Sequence, residues 1–164
     1  MSVPCFSLTP MAGDKESALR DYLSREGVTV IETELDGAWG YYDALSKTIF
    51  IQAGMTTGHR VATLLHEAAH HYRGDKGPQP EAVEARIDEA VARLLVDPRE
   101  YAFWESQHGW HTGGIAHALE LPRWVITAYR RVLERATAQS LSVSLPALTP
   151  QSIPAPAESR RHSE

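Results

Sequence analysis

The sequence predicts an α+β fold, with one small sheet placed between helices. Three observations carry this. Residues 14–25 have a helical period, three short stretches of strand character follow between Val28 and Gln52, and from residue 58 the apolar spacing returns to the helical period. With 164 residues, 43% of them hydrophobic and 23% charged, the chain has the size and composition of one soluble domain that builds its core without disulfides.

Each element has its own signal. Asp14 caps a helix that places Ala18, Leu19, Tyr22 and Leu23 on one face, and Gly27 ends it. Val28–Leu35 is rich in β-branched residues, Ala38–Tyr42 is aromatic, and Thr48–Gln52 alternates with Ile49 and Ile51 on one side. The Asp43–Lys47 connection has the length of a hairpin loop joining the last two strands. Residues 58–73 form a helix through Val61, Leu64, Leu65, Ala68, Ala69 and Tyr72, stopped by the GDKGPQP loop at 74–80. A second helix, EAVEARIDEAVARLL at 81–95, closes at Asp97-Pro98, and residues 99–107 continue helical. His108–Gly114 reads as a loop, followed by helices at Ile115–Leu119 and Arg123–Ala138 around a turn at Glu120–Pro122. From Ser140 the chain is rich in Ser and Pro and reads as a disordered tail. The expected organisation is therefore an extension at 1–13, a core at 14–98, a helical C-terminal part at 99–139 and a tail at 140–164.

Several function classes are disfavoured. No apolar run approaches the roughly 20 residues that cross a bilayer. The start MSVPCFSLTP lacks a basic n-region and an apolar h-region, and Cys5 stands alone, so the expected location is cytoplasmic. A net charge of -5 argues against nucleic acid as the main partner, although Arg123, Arg130, Arg131 and Arg135 cluster against Glu134 alone.

The chemistry concentrates in TLLHEAAHHY at 63–72. On a helix, His66 and His70 stand one turn apart on the same face and can offer imidazole nitrogens to one cation. Glu67 sits beside that face, too oblique to ligate but placed to take a proton from a metal-bound water, which is the physical content of H-E-x-x-H. Chance alone gives on the order of 0.03 such matches in a chain of this composition, so context has to decide. The match lies inside a predicted helix after a strand pair, and the next helix offers a third ligand. There Glu81, Glu84 and Asp88 share one face, and Glu84/Asp88 form E-x-x-x-D. Glu84 is the expected ligand and Asp88 an acceptor for the free N–H of a ligating histidine, with Asp88 and Glu89 also standing as alternative ligands. His71 points about 100° away from His70 and is set aside as a packing or surface residue. His59 stays ambiguous. His108, His111 and Tyr101 are candidate transition-state donors, against a plain reading as loop or core residues.

The order of these elements is similar to a known family. REGVTVIETELDGAWGYYDALSKTIFIQ, then HRVATLLHEAAHH, EAVEARIDEAVARLLVDP and GIAHALELPRWVITAYRRVL together resemble the ImmA/IrrE family of zinc metallopeptidases of bacteria, prophages and mobile elements, over roughly residues 15–135. The family's acidic E-A-N element corresponds to Glu84-Ala85-Arg86, and its L-L-x-P element to Leu94-Leu95 followed by Asp97-Pro98, at a longer spacing that keeps Asp88 and Glu89 open as ligands. The resemblance implies a zincin-like, gluzincin-like core, a C-terminal part similar to a helix-turn-helix, one Zn(2+) ion, and a helix-turn-helix transcriptional repressor as the protein cleaved. The expected activity is a zinc metalloendopeptidase, with Thr48–Gln52 or Ala38–Tyr42 as the sheet edge to which an extended substrate adds. The rival readings are a regulatory or DNA-binding module using the arginines of 123–135, and a metal-bound partner that sequesters a repressor without cutting it.

Overall fold

The computed structural model of the chain describes residues 12–144, so Cys5, most of the N-terminal extension and the tail beyond 144 lie outside the described residues. Helix α1 (Ala12–Arg25) ends as Gly27 requires. Gly27 takes φ 73, its N–H returns to Ser24 O, and the N–H of Val28 returns to Leu23 O at 2.9 Å. This double return lays Val28 over Leu23, and both are buried. Val28 therefore belongs to the helix cap, and strand β1 is shorter than expected, Thr29–Thr33.

Strands β2 (Gly40–Asp43) and β3 (Thr48–Gln52) form the expected hairpin, antiparallel with Tyr41 opposite Phe50. β1 pairs parallel with β3 on its other side, giving the order β1-β3-β2. β3 is thus the central strand, so of the two edge candidates the Thr48–Gln52 stretch is excluded and the Ala38–Tyr42 stretch contains an edge. Ile49 and Ile51 are fully buried and pack with Leu23, Met55 and Leu64, joining the sheet to α1 and to helix α2 (Thr57–Arg73). An ion pair ties the same two helices: Arg60 holds both carboxylate oxygens of Glu16, at 2.9 and 3.0 Å.

A second core lies under the remaining helices, α3 (Glu81–Leu95), α4 (Pro98–His108), α5 (Thr112–Ala118) and α6 (Arg123–Ser144). Ala92, Tyr101, Ile115, Val125, Ile126 and Tyr129 form its centre, with Ala62 of α2. The expected continuation at 99–107 is a separate helix, because Asp97 caps it by accepting the N–H groups of Arg99 and Glu100 and Pro98 suits its first position. The expected loop at His108–Gly114 is shorter, because the His111 ring accepts the Gly114 N–H at 2.9 Å and starts α5 early. α6 runs past Ala138 and through the first residues of the expected tail, since no proline interrupts it before Pro146. Gly58, in the first turn of α2, touches the α5–α6 turn so closely that a Cβ there would stand 2.0 Å from Glu120 O. Among the described residues, no helix is long and apolar enough to cross a membrane.

Candidate metal centre

The i, i+4 spacing does what the helix period dictates. His66 and His70 project side by side from α2, with Nε2 atoms 3.1 Å apart. α3 packs along α2 and brings Glu84 to them, its Oε2 at 3.1 Å from His66 Nε2 and 3.4 Å from His70 Nε2. The outward-facing nitrogens are committed elsewhere. His66 Nδ1 meets Asp88 Oδ1 at 3.1 Å, and His70 Nδ1 meets Asp75 Oδ2 at 3.0 Å. A carboxylate can only accept, so a neutral ring that donates its Nδ1 proton outward keeps its Nε2 lone pair for the cluster. Two imidazole nitrogens and one carboxylate oxygen therefore converge on one point, an arrangement that a shared cation would stabilise. The spacing also fits one: ligands about 2.0–2.1 Å from a tetrahedral zinc stand roughly 3.3–3.4 Å from one another. By donor set and by distance, the three residues fit a divalent metal.

The electrostatics point the same way. Burial opposes positive charge on His66, but the carboxylates of Asp88, Glu67 and Glu84 around it outweigh burial and raise its affinity for a proton above the usual histidine range. The same surrounding carboxylates would also favour a metal cation, in competition with the proton. Glu67 is 7% exposed. Burial lifts its carboxyl above the usual carboxylate range against the opposing pull of His66 and His70, which suits a group that must accept and return a proton.

The Asp75 contact was absent from the sequence reading, yet a signal existed. α2 ends like α1: Gly74 takes φ 72, its N–H returns to His71 O, and the Asp75 N–H returns to His70 O at 3.0 Å. In this cap the residue after the glycine lies over the residue five back. Where α1 uses that geometry to stack Val28 on Leu23, α2 uses it to set a carboxylate against His70. Arg73 braces Asp75 from the outside at 2.9 Å. Burial alone would raise the Asp75 carboxyl, but the bonds from His70 and Arg73 hold it below the usual range.

Glu89 does not approach the cluster. It is buried, 3% exposed, and faces α6, where Arg135 lies 3.1 Å and Arg131 3.5 Å from its oxygens. Arg131 also reaches Asp88 Oδ2 at 3.5 Å, and Trp124 of α6 sets its ring edge-on to His66, with centroids 5.9 Å apart. Arg130 of α6 bonds Tyr101, Trp110 O and Thr112, and Arg131 and Arg135 pair with α3, while Arg123 and Arg135 are exposed.

The remaining candidates sit elsewhere. Tyr101 is in the second core and bonds Glu105 and Arg130. His108 stacks on Trp104, and His111 caps α5. None of the three lines the hollow around Glu67. His71 accepts or donates at Tyr42 Oη, 2.9 Å away, and His59 belongs to the N-cap of α2 with Thr56.

The cluster opens on a cleft of about 420 Å³ between α2, α3 and strand β2. The Gln52 N–H donates to Trp39 O at 2.9 Å, so alternation turns the backbone of Trp39 and Tyr41 toward β3. Gly40 and Tyr42 then turn theirs to the free edge, and the Tyr42 N–H reaches the Glu67 carboxylate. β2 comes this near to α2 because position 40 has no side chain. A Cβ there would stand 2.6 Å from Thr63 Cγ2 and 3.3 Å from Glu67 Cγ. The chain matches no protein-family model and no curated protein sequence.

Proposed function

We propose that this chain is a zinc-dependent metalloendopeptidase, with His66, His70 and Glu84 as protein ligands and Glu67 as general base. One observation carries the reading: three lone pairs at tetrahedral spacing share a cleft with a buried glutamate beside a free sheet edge. Zinc bound there supplies an acidic, polarised water at neutral pH and an electrophile for the peptide carbonyl. The chain's own residues do the rest. An extended substrate pairs with the outward N–H and C=O groups of Gly40 and the C=O of Tyr42, whose N–H stays with Glu67, and this holds its scissile bond across the cleft. Glu67 takes the proton from the attacking water as the carbonyl carbon gains an oxygen, then passes it to the departing amine as the C–N bond breaks. Asp88 and Asp75 keep the two rings in the tautomer that ligates.

The resemblance to the ImmA/IrrE family extends the proposal to a zincin-like core, a C-terminal part akin to a helix-turn-helix, a helix-turn-helix repressor as substrate and a cytoplasmic location. For the DNA-binding reading, Arg130 and Arg131 are engaged by the protein's own groups, which leaves Arg123 and Arg135 as the exposed arginines of α6. The test is zinc content together with cleavage of a panel of helix-turn-helix repressors by wild type, Glu67→Gln and His70→Ala. Wild type is expected to hold one zinc and cleave, Glu67→Gln to hold zinc without cleaving, and His70→Ala to do neither. Full cleavage by Glu67→Gln sinks the mechanism, and intact repressor in a stoichiometric complex with zinc-loaded wild type replaces it with sequestration.

A further inference from the structure

The cleft does not stop at Glu67. On the side away from His70 it meets a second hollow of about 230 Å³, sharing Gly40, His66 and Glu67 with the first and walled by Trp39 and Trp124. Neither indole serves the metal ligands as a donor or acceptor. Trp39 is 58% exposed at the start of the free edge, tilted against the His59 ring with centroids 6.0 Å apart, a costly place for a large apolar surface unless something covers it. Trp124 comes from α6 and is fixed by its edge-on contact with His66. The hollow has the room of one large side chain, not of a folded segment.

Its charge selects further. Glu67 and Asp88 are its acidic lining residues, and Asp88 has one oxygen engaged by His66 Nδ1 and the other beside the Arg131 guanidinium at 3.5 Å. A basic side chain entering here finds the Asp88 carboxylate already shared between His66 and Arg131, and pairing with Glu67 instead would occupy the general base. An acidic side chain would face Glu67 and Asp88 together. Two aromatic walls with a spent carboxylate favour an uncharged, bulky side chain.

Direction follows from the edge strand. β2 leaves Trp39 and Gly40 and runs toward Asp43. A substrate strand pairing antiparallel, the more stable mode, runs the other way, so its C-terminal side reaches the Trp39 end. We propose that Trp39 and Trp124 form a specificity subsite that takes a bulky apolar side chain, leucine or phenylalanine in size, from the residue on the amine side of the cleaved bond. This rests on the peptidase reading above and names the substrate feature that the same site recognises.

The experiment uses zinc-loaded full-length protein and capped peptides Ac-Gly-Ala-Ala-Xaa-Ala-Gly-amide, with leucine, phenylalanine, alanine, lysine or aspartate at Xaa. Products are located by mass, and binding to zinc-loaded Glu67→Gln is followed by indole fluorescence. Wild type is expected to cleave before Xaa with leucine or phenylalanine favoured over alanine by about 10–100-fold in kcat/KM. Trp39→Ala is expected to reduce that ratio to about threefold or less. Trp39 is exposed and its removal leaves both cores intact, so this variant reports on the subsite and not on folding. Trp124→Phe keeps an aromatic wall and is expected to keep the preference. Cleavage with no preference, or with lysine or aspartate preferred, overturns the subsite and leaves the peptidase standing. Trp39-dependent binding of the leucine peptide to Glu67→Gln, with no cleavage by wild type, upholds the subsite and overturns the peptidase. Neither cleavage nor binding overturns both.

Discussion

His66 and His70 sit one turn apart on the same helix, yet they are held in opposite ways. His66 is held by the tertiary structure: Asp88 comes from α3, Arg131 braces it from α6, and Trp124 of α6 packs edge-on to the ring. His70 is held locally, by an aspartate five residues on that the cap of its own helix folds back, with Arg73 beside it. One half of the centre thus depends on the C-terminal helices being docked, and the other is complete once α2 and its cap have formed. The C-terminal helices accordingly form part of the support of the proposed metal centre.

Removing a ligand erases the difference, and has the largest effect. His66→Ala and His70→Ala are each expected to lose stoichiometric zinc, measured by chelator competition, whatever supports the ring. Removing the supports brings the difference out. Asp88→Ala and Asp75→Ala should each weaken zinc by about 10–100-fold, because each frees one ring's tautomer and orientation. Only Asp88→Ala should also lower Tm, since it leaves Arg131 without one of its two carboxylates at the α3–α6 interface. Equal Tm losses for the two variants would mean that both rings are supported alike.

Arg131→Ala is the next step down. It deprives the buried Glu89 carboxylate of a neighbour and Asp88 of its brace, and is expected to cost about 1–3 kcal/mol in denaturant unfolding. Its zinc affinity should fall by less than that of Asp88→Ala. The smallest effect lies outside the centre, where Glu16 joins α1 to α2. Its hydrogen bond from Arg60, outweighing burial, holds the carboxyl below the usual glutamate range. A depressed folded-state value means stability that is present above the unfolded value near 4.5 and is lost as pH falls through the folded one. Glu16→Gln should therefore cost on the order of 1 kcal/mol at neutral pH. The gap from wild type should close in acid, as followed by unfolding at several pH values.

The same comparison explains what could be read in advance. His66, His70 and Glu67 follow from the helical period within one segment, and Glu84 with Asp88 from the period of the next. Glu89, five residues beyond Glu84, is turned about 140° from it and so faces α6, a consequence visible only once α6 is docked. Asp75 escaped because it lies beyond the end of the helix, although Gly74 announced a cap that places the following residue over His70. The strands were legible from β-branching and alternation, but the parallel pairing of β1 with β3 joins segments separated by the whole of β2. His111 as a helix cap went unread because serine, threonine, asparagine and aspartate usually fill that position. The length of α6 was underestimated because the Ser/Pro composition of the tail was read back into residues that contain no proline.

The central claim is that His66, His70 and Glu84 together hold one metal ion. Titration of metal-free protein with Co(II), read by visible absorption, tests it most directly. The account predicts saturation at one equivalent with the intense bands of a four-coordinate N/O site in wild type, and loss of that spectrum in Glu84→Ala. An unchanged spectrum in Glu84→Ala, or no stoichiometric binding by wild type, would contradict it.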